Sequence, residues 1–250
     1  MRRILCFFML WALLLCCLPA ARGEALTEEQ LLSYYDGCVF VGDSITRQLR
    51  VYILEKQKTD PGFMKNTKFL VTQSYFLYTA SLKNLRKDAN NLIYRGTEMP
   101  LCRILGEMKP KRALILLGVN DYIGEQIEKG IGYCERIIDR AAEFSPDTQI
   151  IFESLTPVTE RFCRRKDYRT MWDQYNAALE EMCARRGVGY VDIATPLKDE
   201  EGYLRKEYSS DGKYHLKDKG LQLWLDTLAD YARQQYEQGL WTPDEGGKNE

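Results

Sequence analysis

The chain has 250 residues, 45% of them hydrophobic and 28% charged, with 35 Lys and Arg against 36 Asp and Glu for a net charge of −1. This balance, with no basic stripe and no Lys/Arg-rich amphipathic helix, argues against nucleic acid or a membrane surface as a partner. The eight cysteines match no zinc spacing, and a chain this long buries enough apolar surface without staples, so neither a metal nor a disulfide-dense scaffold is expected, while their pairing is not legible from sequence.

Taken in chain order, residues 1–23 begin with Arg2 and Arg3, continue through fifteen apolar residues at 4–18, and end on Ala21-Arg22-Gly23. This is the pattern of a cleaved signal peptide, short of the roughly 20 residues of a membrane span. It predicts a secreted or extracytoplasmic protein without stable membrane association, an uncleaved N-terminal anchor being the alternative. Loss of Arg2, Arg3 and Arg22 moves the net charge from −1 to −4. Five cysteines remain (Cys38, Cys102, Cys134, Cys163 and Cys183), an odd number that leaves at least one thiol unpaired. Cys38, inside an apolar run, reads as a small buried hydrophobe. Residues 24–241 fit one domain with a sizeable core, and the polar residues 242–250 are predicted to be a disordered tail.

Short continuous apolar runs at 38–41, 68–71, 113–117, 150–153 and 188–191 predict strands covered on both faces, as in a parallel sheet. Helical spacing connects Ile127, Ile131, Cys134, Ile137, Ile138 and Ala141. It recurs at Met171, Trp172, Tyr175, Leu179 and Met182, with Gly187 as C-cap, and again at Leu221, Leu225, Leu228 and Tyr231. Five strands alternating with helices imply a three-layer α/β domain with right-handed crossovers. Ligands of such sheets lie at the carboxyl ends of the strands, so residues 42–44, 118–121 and 155–158 are predicted to converge. No glycine-rich phosphate loop follows the first strand, which leaves no cofactor implied.

Ser44 stands where the first strand gives way to a helix. Its hydroxyl would either cap that helix or, beside the free N–H groups of the first turn, act as a nucleophile; Gly42-Asp43-Ser44 alone leaves both open. After the third run comes Gly118-Val119-Asn120-Asp121. The glycine permits a sharp turn, and Asn120 would offer its amide to an oxyanion or else cap the next turn. His215, the only histidine, follows Asp211 in a loop before the last helix. A serine nucleophile needs a base and the base an orienting acid, and His215 is the only imidazole available.

In this order, Gly42-Asp43-Ser44, Gly118-Val119-Asn120-Asp121 and the Asp211/His215 loop resemble the SGNH, or GDSL, hydrolase family across nearly all of residues 24–241. The stretch Ser154-Leu155-Thr156-Pro157-Val158 is similar to its bacterial members. The resemblance implies a flavodoxin-like α/β/α sandwich with a five-stranded parallel sheet, and esterase, lipase or acyl-transfer chemistry without a metal. It implies Ser44 as nucleophile, His215 as base and Asp211 as orienting acid, with an oxyanion hole made by the backbone N–H of Ser44 and the amide of Asn120. Two features depart from the family. Residues 72–76, Thr72-Gln73-Ser74-Tyr75-Phe76, lack the glycine that donates a further N–H, so Ser74 or Tyr75 is expected to supply it. Asp211 and His215 are separated by three residues instead of two, so the loop is expected to bulge at Gly212. Arg47, Gly118 and Tyr122 are expected near the substrate. The expected activity is hydrolysis of an acyl ester, acetyl above all, on a small molecule or a glycan of carbohydrate or cell-wall type. An acyltransferase or a non-catalytic glycan-binding protein on the same scaffold are the alternatives.

Overall fold

A computed structural model describes residues 25–121 and 126–243; the expected signal peptide, Tyr122 and residues 244–250 of the expected tail lie outside them. The first described element is α1 (Glu28–Leu32), closed at its N-terminus by a Thr27/Gln30 capping box. It then runs β1 (Val39–Gly42), α2 (Ser44–Thr59), β2 (Lys68–Val71) and α3 (Leu77–Ala80). A small hairpin, β3 (Leu92–Tyr94) and β4 (Thr97–Met99), precedes α4 (Leu101–Met108) and β5 (Arg112–Leu116). The remainder is α5 (Ile127–Phe144), β6 (Gln149–Glu153), α6 (Glu160–Cys163), α7 (Tyr168–Arg186), β7 (Gly189–Val191) and α8 (Asp218–Glu237).

Five strands form one parallel sheet in the order β2-β1-β5-β6-β7, the strand order of flavodoxin-like doubly wound folds. The fold is thus the three-layer sandwich expected. β1 is buried at every position and β5 and β6 at all but their first residue, which is why their sequences are apolar without alternation. The edge strands β2 and β7 are less buried. α1, α2 and α8 pack together, while α5 packs with α3, α4 and α7, which gives the two helical layers. The expected third strand extends one residue too far: Leu117 leaves the ladder because the chain is already turning at Gly118, whose φ is +135°. Gly187 caps α7 at φ +64°, as expected.

Along α2, Ile45, Leu49 and Ile53 are fully buried at helical spacing, each contributing about 2 kcal/mol by area removed from water. This stripe fixes the helix, and hence Ser44 at its start, to the sheet. Packed beside α2, α8 buries Trp224, whose indole N–H donates to Glu153 Oε1 at 2.7 Å. Glu153 ends β6, is 1% exposed and leaves its Oε2 without a hydrogen bond. Burial pushes its carboxyl up to about 8. The five cysteines of the described residues are all free thiols, four of them buried. Cys38 is fully buried, and burial raises its thiol to about 11. No helix among the described residues is long and apolar enough to cross a membrane.

Candidate active site

The turn from β1 into α2 places Ser44 at the carboxyl edge of the sheet. Gly42 is required there: a Cβ at that position would meet Thr46 Oγ1 at 2.0 Å and the Leu116 carbonyl at 2.9 Å. The helix cap is Asp43, not Ser44. Asp43 Oδ1 accepts from the Ile45 N–H at 2.9 Å, satisfying a first-turn donor as an N-cap does. That releases the Ser44 hydroxyl, which lies 2.9 Å from His215 Nε2, and leaves the Ser44 N–H without a partner among the described residues. Of the two readings that the stretch alone left open, capping is removed.

Asp43 also reaches outward. Its Oδ2 accepts from Asn120 Nδ2 at 2.6 Å, so one carboxylate fixes both the helix start and the amide beside it. Burial raises the Asp43 carboxyl to about 6, opposed by the Ile45 N–H and the nearby His215. Asn120 sits in a single 3-10 turn, Val119–Asp121, and retains a second amide hydrogen. Asp121, next in the chain, caps α3 from a distance, accepting from Leu77 N at 2.7 Å and Tyr78 N at 2.9 Å. Burial raises its carboxyl too, against these two bonds.

Asp121 thereby ties the Asn120 turn to the loop before α3, the region lacking the family's glycine. Ser74 in that loop has φ +52°, the left-handed region that glycine enters without penalty. A serine thus holds a glycine's backbone conformation. The N–H groups of Ser74 and Tyr75 make no hydrogen bond among the described residues, while the Tyr75 side chain is 1% exposed and belongs to the core.

The histidine loop bulges over the extra residue. Gly212 has φ +70°, and Asp211 Oδ2 lies 2.7 Å from His215 Nδ1. Asp211 Oδ1 accepts from Lys213 N at 2.8 Å and His215 N at 3.3 Å. Partial burial works against the charge on Asp211, but the bonds from His215 and the loop N–H groups outweigh it and hold the carboxyl below its ordinary value. Ser44, His215 and Asp211 therefore form a continuous chain with Nε2 toward the hydroxyl and Nδ1 toward the carboxylate, the arrangement in which imidazole removes the hydroxyl proton.

Two side chains that sequence reasoning missed hold this loop. Gln48, one turn beyond Ser44, clamps the residue after the histidine: its Nε2 donates to the Leu216 carbonyl at 3.0 Å and its Oε1 accepts from the Leu216 N–H at 2.9 Å. Thr159, past β6, donates from Oγ1 to the Gly212 carbonyl at 2.6 Å, and its N–H donates to the Lys213 carbonyl at 2.8 Å. Residues 155–158 come to the same rim but are buried, with Leu155 fixed through its N–H and carbonyl by Asn176; they support the loop and do not face a substrate.

Besides a cavity of about 490 Å³ lined by Asn120 with Phe76, Tyr78, Arg86 and Tyr133, two cavities border the site. One, of about 830 Å³, follows α2 and is lined by Ser44, Arg47, Gln48, Tyr52 and His215 among others. The other, of about 300 Å³, is lined by Ser74 and Asn120 and by Phe162, Tyr168, Trp172 and Tyr214. Arg47 therefore lines the same cavity as Ser44. Gly118, also expected near the substrate, is buried at its turn and lines neither cavity; its role there is the bend. Among the described residues no His, Cys, Asp and Glu cluster is placed to hold a metal ion.

The sequence profile of the GDSL-like lipase/acylhydrolase family matches residues 40–223. No curated protein matches the chain. Among solved structures, a GDSL-like lipase from Bacteroides thetaiotaomicron superposes with a TM-score of 0.60 at 17% identity, covering 86% of this chain and 93% of its own. A carbohydrate esterase family 3 protein from Talaromyces cellulolyticus gives 0.53 at 15% identity, covering 80% and 98%. The periplasmic domain of a Salmonella lipopolysaccharide acetyltransferase gives 0.54 at 15%, covering 78% and 83%. These likenesses carry the fold, and the profile carries the family: the chain belongs to the GDSL-like lipase/acylhydrolase family, whose chemistry is the hydrolysis of acyl esters.

Proposed function

We propose that the protein is an exported serine esterase that cleaves acyl esters, acetyl among them, from a hydroxyl-rich alcohol such as a carbohydrate or cell-wall glycan. The observation that carries this reading is the hydrogen-bonded chain from Ser44 Oγ through the His215 ring to Asp211, set at a helix start with an unpaired N–H. In this mechanism His215 Nε2 takes the Ser44 proton as Oγ attacks the acyl carbon. The Ser44 N–H, the Asn120 amide and the N–H of Ser74 or Tyr75 receive the oxyanion, at about 3 kcal/mol per donor. The proton passes to the leaving alcohol, and water, deprotonated by the same ring, releases the acid. Export rests on the charged and apolar pattern of residues 1–23, and the glycan on the hydrogen-bonding side chains Arg47, Gln48, Glu55 and Lys56, spaced along α2 in a groove whose lining is otherwise largely apolar.

Transfer to an acceptor alcohol in place of water uses the same steps, and the breadth of the α2 groove next to His215 favours it as the second reading. A fluorophosphonate probe is expected to label native protein at Ser44 alone, and Ser44→Ala to abolish both labelling and ester cleavage while circular dichroism stays unchanged. Full activity in that variant would refute the assignment. Product analysis with added sugar separates transfer from hydrolysis.

A further inference from the structure

The two cavities beside Ser44 are not equivalent with respect to the proton path. The proton that His215 Nε2 takes from Ser44 must be delivered to the oxygen of the departing alcohol, so that oxygen lies within hydrogen-bond reach of Nε2. His215 and Ser44 line the α2 groove and do not line the smaller cavity. The alcohol therefore leaves through the groove. The carbonyl oxygen faces Asn120 and the Ser74 segment; Asn120 lines both the 490 Å³ and the 300 Å³ cavity, but Ser74 lines only the latter of these two. We infer that the 300 Å³ cavity is the acyl subsite and that it selects a flat aromatic acyl group, of benzoyl or cinnamoyl type, over acetyl. The inference rests on the esterase reading of Ser44.

Size and surface both favour this occupant. The methyl of an acetyl group is comparable to one water, about 30 Å³ of liquid, and would leave a cavity of about 300 Å³ largely unfilled. Its walls are rings in mutual contact. Phe162 and Tyr168 stack with centroids 4.6 Å apart, Phe162 meets Tyr214 edge-on at 5.4 Å, and Trp172 meets Tyr214 at 5.6 Å. Tyr214 in turn lies 4.8 Å from the His215 ring, so the aromatic wall reaches the base. Met171 adds a polarizable thioether to the lining, suited to the edge of a ring. Phe76, 37% exposed, borders the cavity as well, an apolar surface that a bound ring would remove from water. Among the described residues the lining carries one cation, Lys166, whose Nζ is 5.3 Å from the Tyr168 ring centroid.

In the reaction, Ser44 Oγ bonds to the aroyl carbon and the bond from that carbon to the alcohol oxygen breaks as His215 passes it the proton. Water attacks the aroyl-enzyme, again through His215, and frees the aromatic carboxylic acid with Ser44 restored. The test uses matched p-nitrophenyl acetate and benzoate, and acetyl and benzoyl esters of a methyl glycoside. Native protein is expected to prefer benzoyl to acetyl in kcat/KM by at least about tenfold. Met171→Trp, which fills the cavity, is expected to lower that preference by about tenfold or more. Val51→Trp, at a 61% exposed position lining the groove, should shift the preference between the two alcohols and leave the benzoyl-to-acetyl ratio within about twofold. Acetyl preferred by native protein overturns the subsite, as does an acyl ratio unmoved in folded Met171→Trp or moved by Val51→Trp. If Met171→Trp does not fold, the native ratio and Val51→Trp decide. Labelling by fluorophosphonate separates the two levels: a labelled protein that prefers acetyl refutes the aromatic subsite alone, whereas one neither labelled nor active on either ester refutes the esterase reading and this inference with it.

Discussion

The turn that presents Ser44 and the loop that presents His215 solve the same problem by different means. Around Ser44 the groups that fix the backbone lie within four residues of one another: Gly42 makes room for Thr46, and Asp43 caps Ile45. A buried strand on one side and a buried helical stripe on the other do the rest. The His215 loop has no regular structure beyond an isolated bridge between Ser209 and Leu216. It is held by side chains remote in sequence, Gln48 and Thr159, 168 and 53 residues from the groups they bind. Ser44 is thus placed by local chain geometry, and His215 by tertiary cross-links that can be cut one at a time without dismantling the sheet.

The sharpest way to test that contrast is within the loop itself. Asp211→Asn should lower kcat by about 10⁴, because the amide favours the wrong imidazole tautomer, while melting changes little. A loss of tenfold or less would mean that another group orients the ring. Next is the clamp. Gln48→Leu removes both hydrogen bonds to the Leu216 backbone, each costing about 1–3 kcal/mol where the partner stays dry. Misplacing His215 by an ångström is expected to lower kcat on the order of 100-fold. Gln48→Glu keeps the acceptor for the Leu216 N–H and should fall between the two; equal losses in both variants would sink the positioning role.

Away from the site, Glu153 gives a stability effect with a defined pH window. Its carboxyl is raised to about 8 in the folded chain by burial, against about 4.3 when unfolded. The unfolded state therefore ionises first, and the stability present at low pH is lost as pH rises from about 4 through 8. Glu153→Gln keeps the acceptor for Trp224 and removes this titration. It should raise stability by up to about 3 kcal/mol at pH 7 and leave it unchanged near pH 4, as read from urea midpoints across pH. A gain that does not vary with pH would contradict the assignment. The smallest effect is expected at Ser74→Gly. It relieves a left-handed serine at the cost of glycine's entropy, for a net gain of about 0.5 kcal/mol, with the N–H retained and kcat within about threefold.

The same contrast explains what could be read from the residues. Strands buried on both faces leave an unbroken apolar run, which made β1, β5 and β6 legible; the less buried edge strands β2 and β7 were legible from short apolar runs as well, as were α5, α7 and α8 from their stripes. The β3–β4 hairpin was not: its turn places Arg95 and Gly96 at φ +51° and +81°, a primed-turn geometry that sequences usually announce with Asn-Gly or Asp-Gly. Ser44, Asn120, Asp211 and His215 were nameable because each sits in a short motif. Gln48 and Thr159 were not, because a hydrogen bond across 53 or 168 residues leaves no local pattern; Asp43 as the cap was hidden because Ser44 beside it is an equally good capping residue type. Trp172 and Met171 read as core from their spacing, and Trp172 is 6% exposed; that they also face a cavity depends on where Phe162 and Tyr214 meet them.

The five unpaired thiols bear on how the chain can be made and handled. With Cys38, Cys102, Cys134 and Cys183 buried and only Cys163 partly accessible, the described residues contain no disulfide that an oxidant must form or a reductant can break. Folding of the described residues is then expected not to depend on the redox state of the compartment in which it happens. The same thiols put the hazard on the folding chain, before burial shields them, where oxidation would join cysteines that the native structure keeps apart.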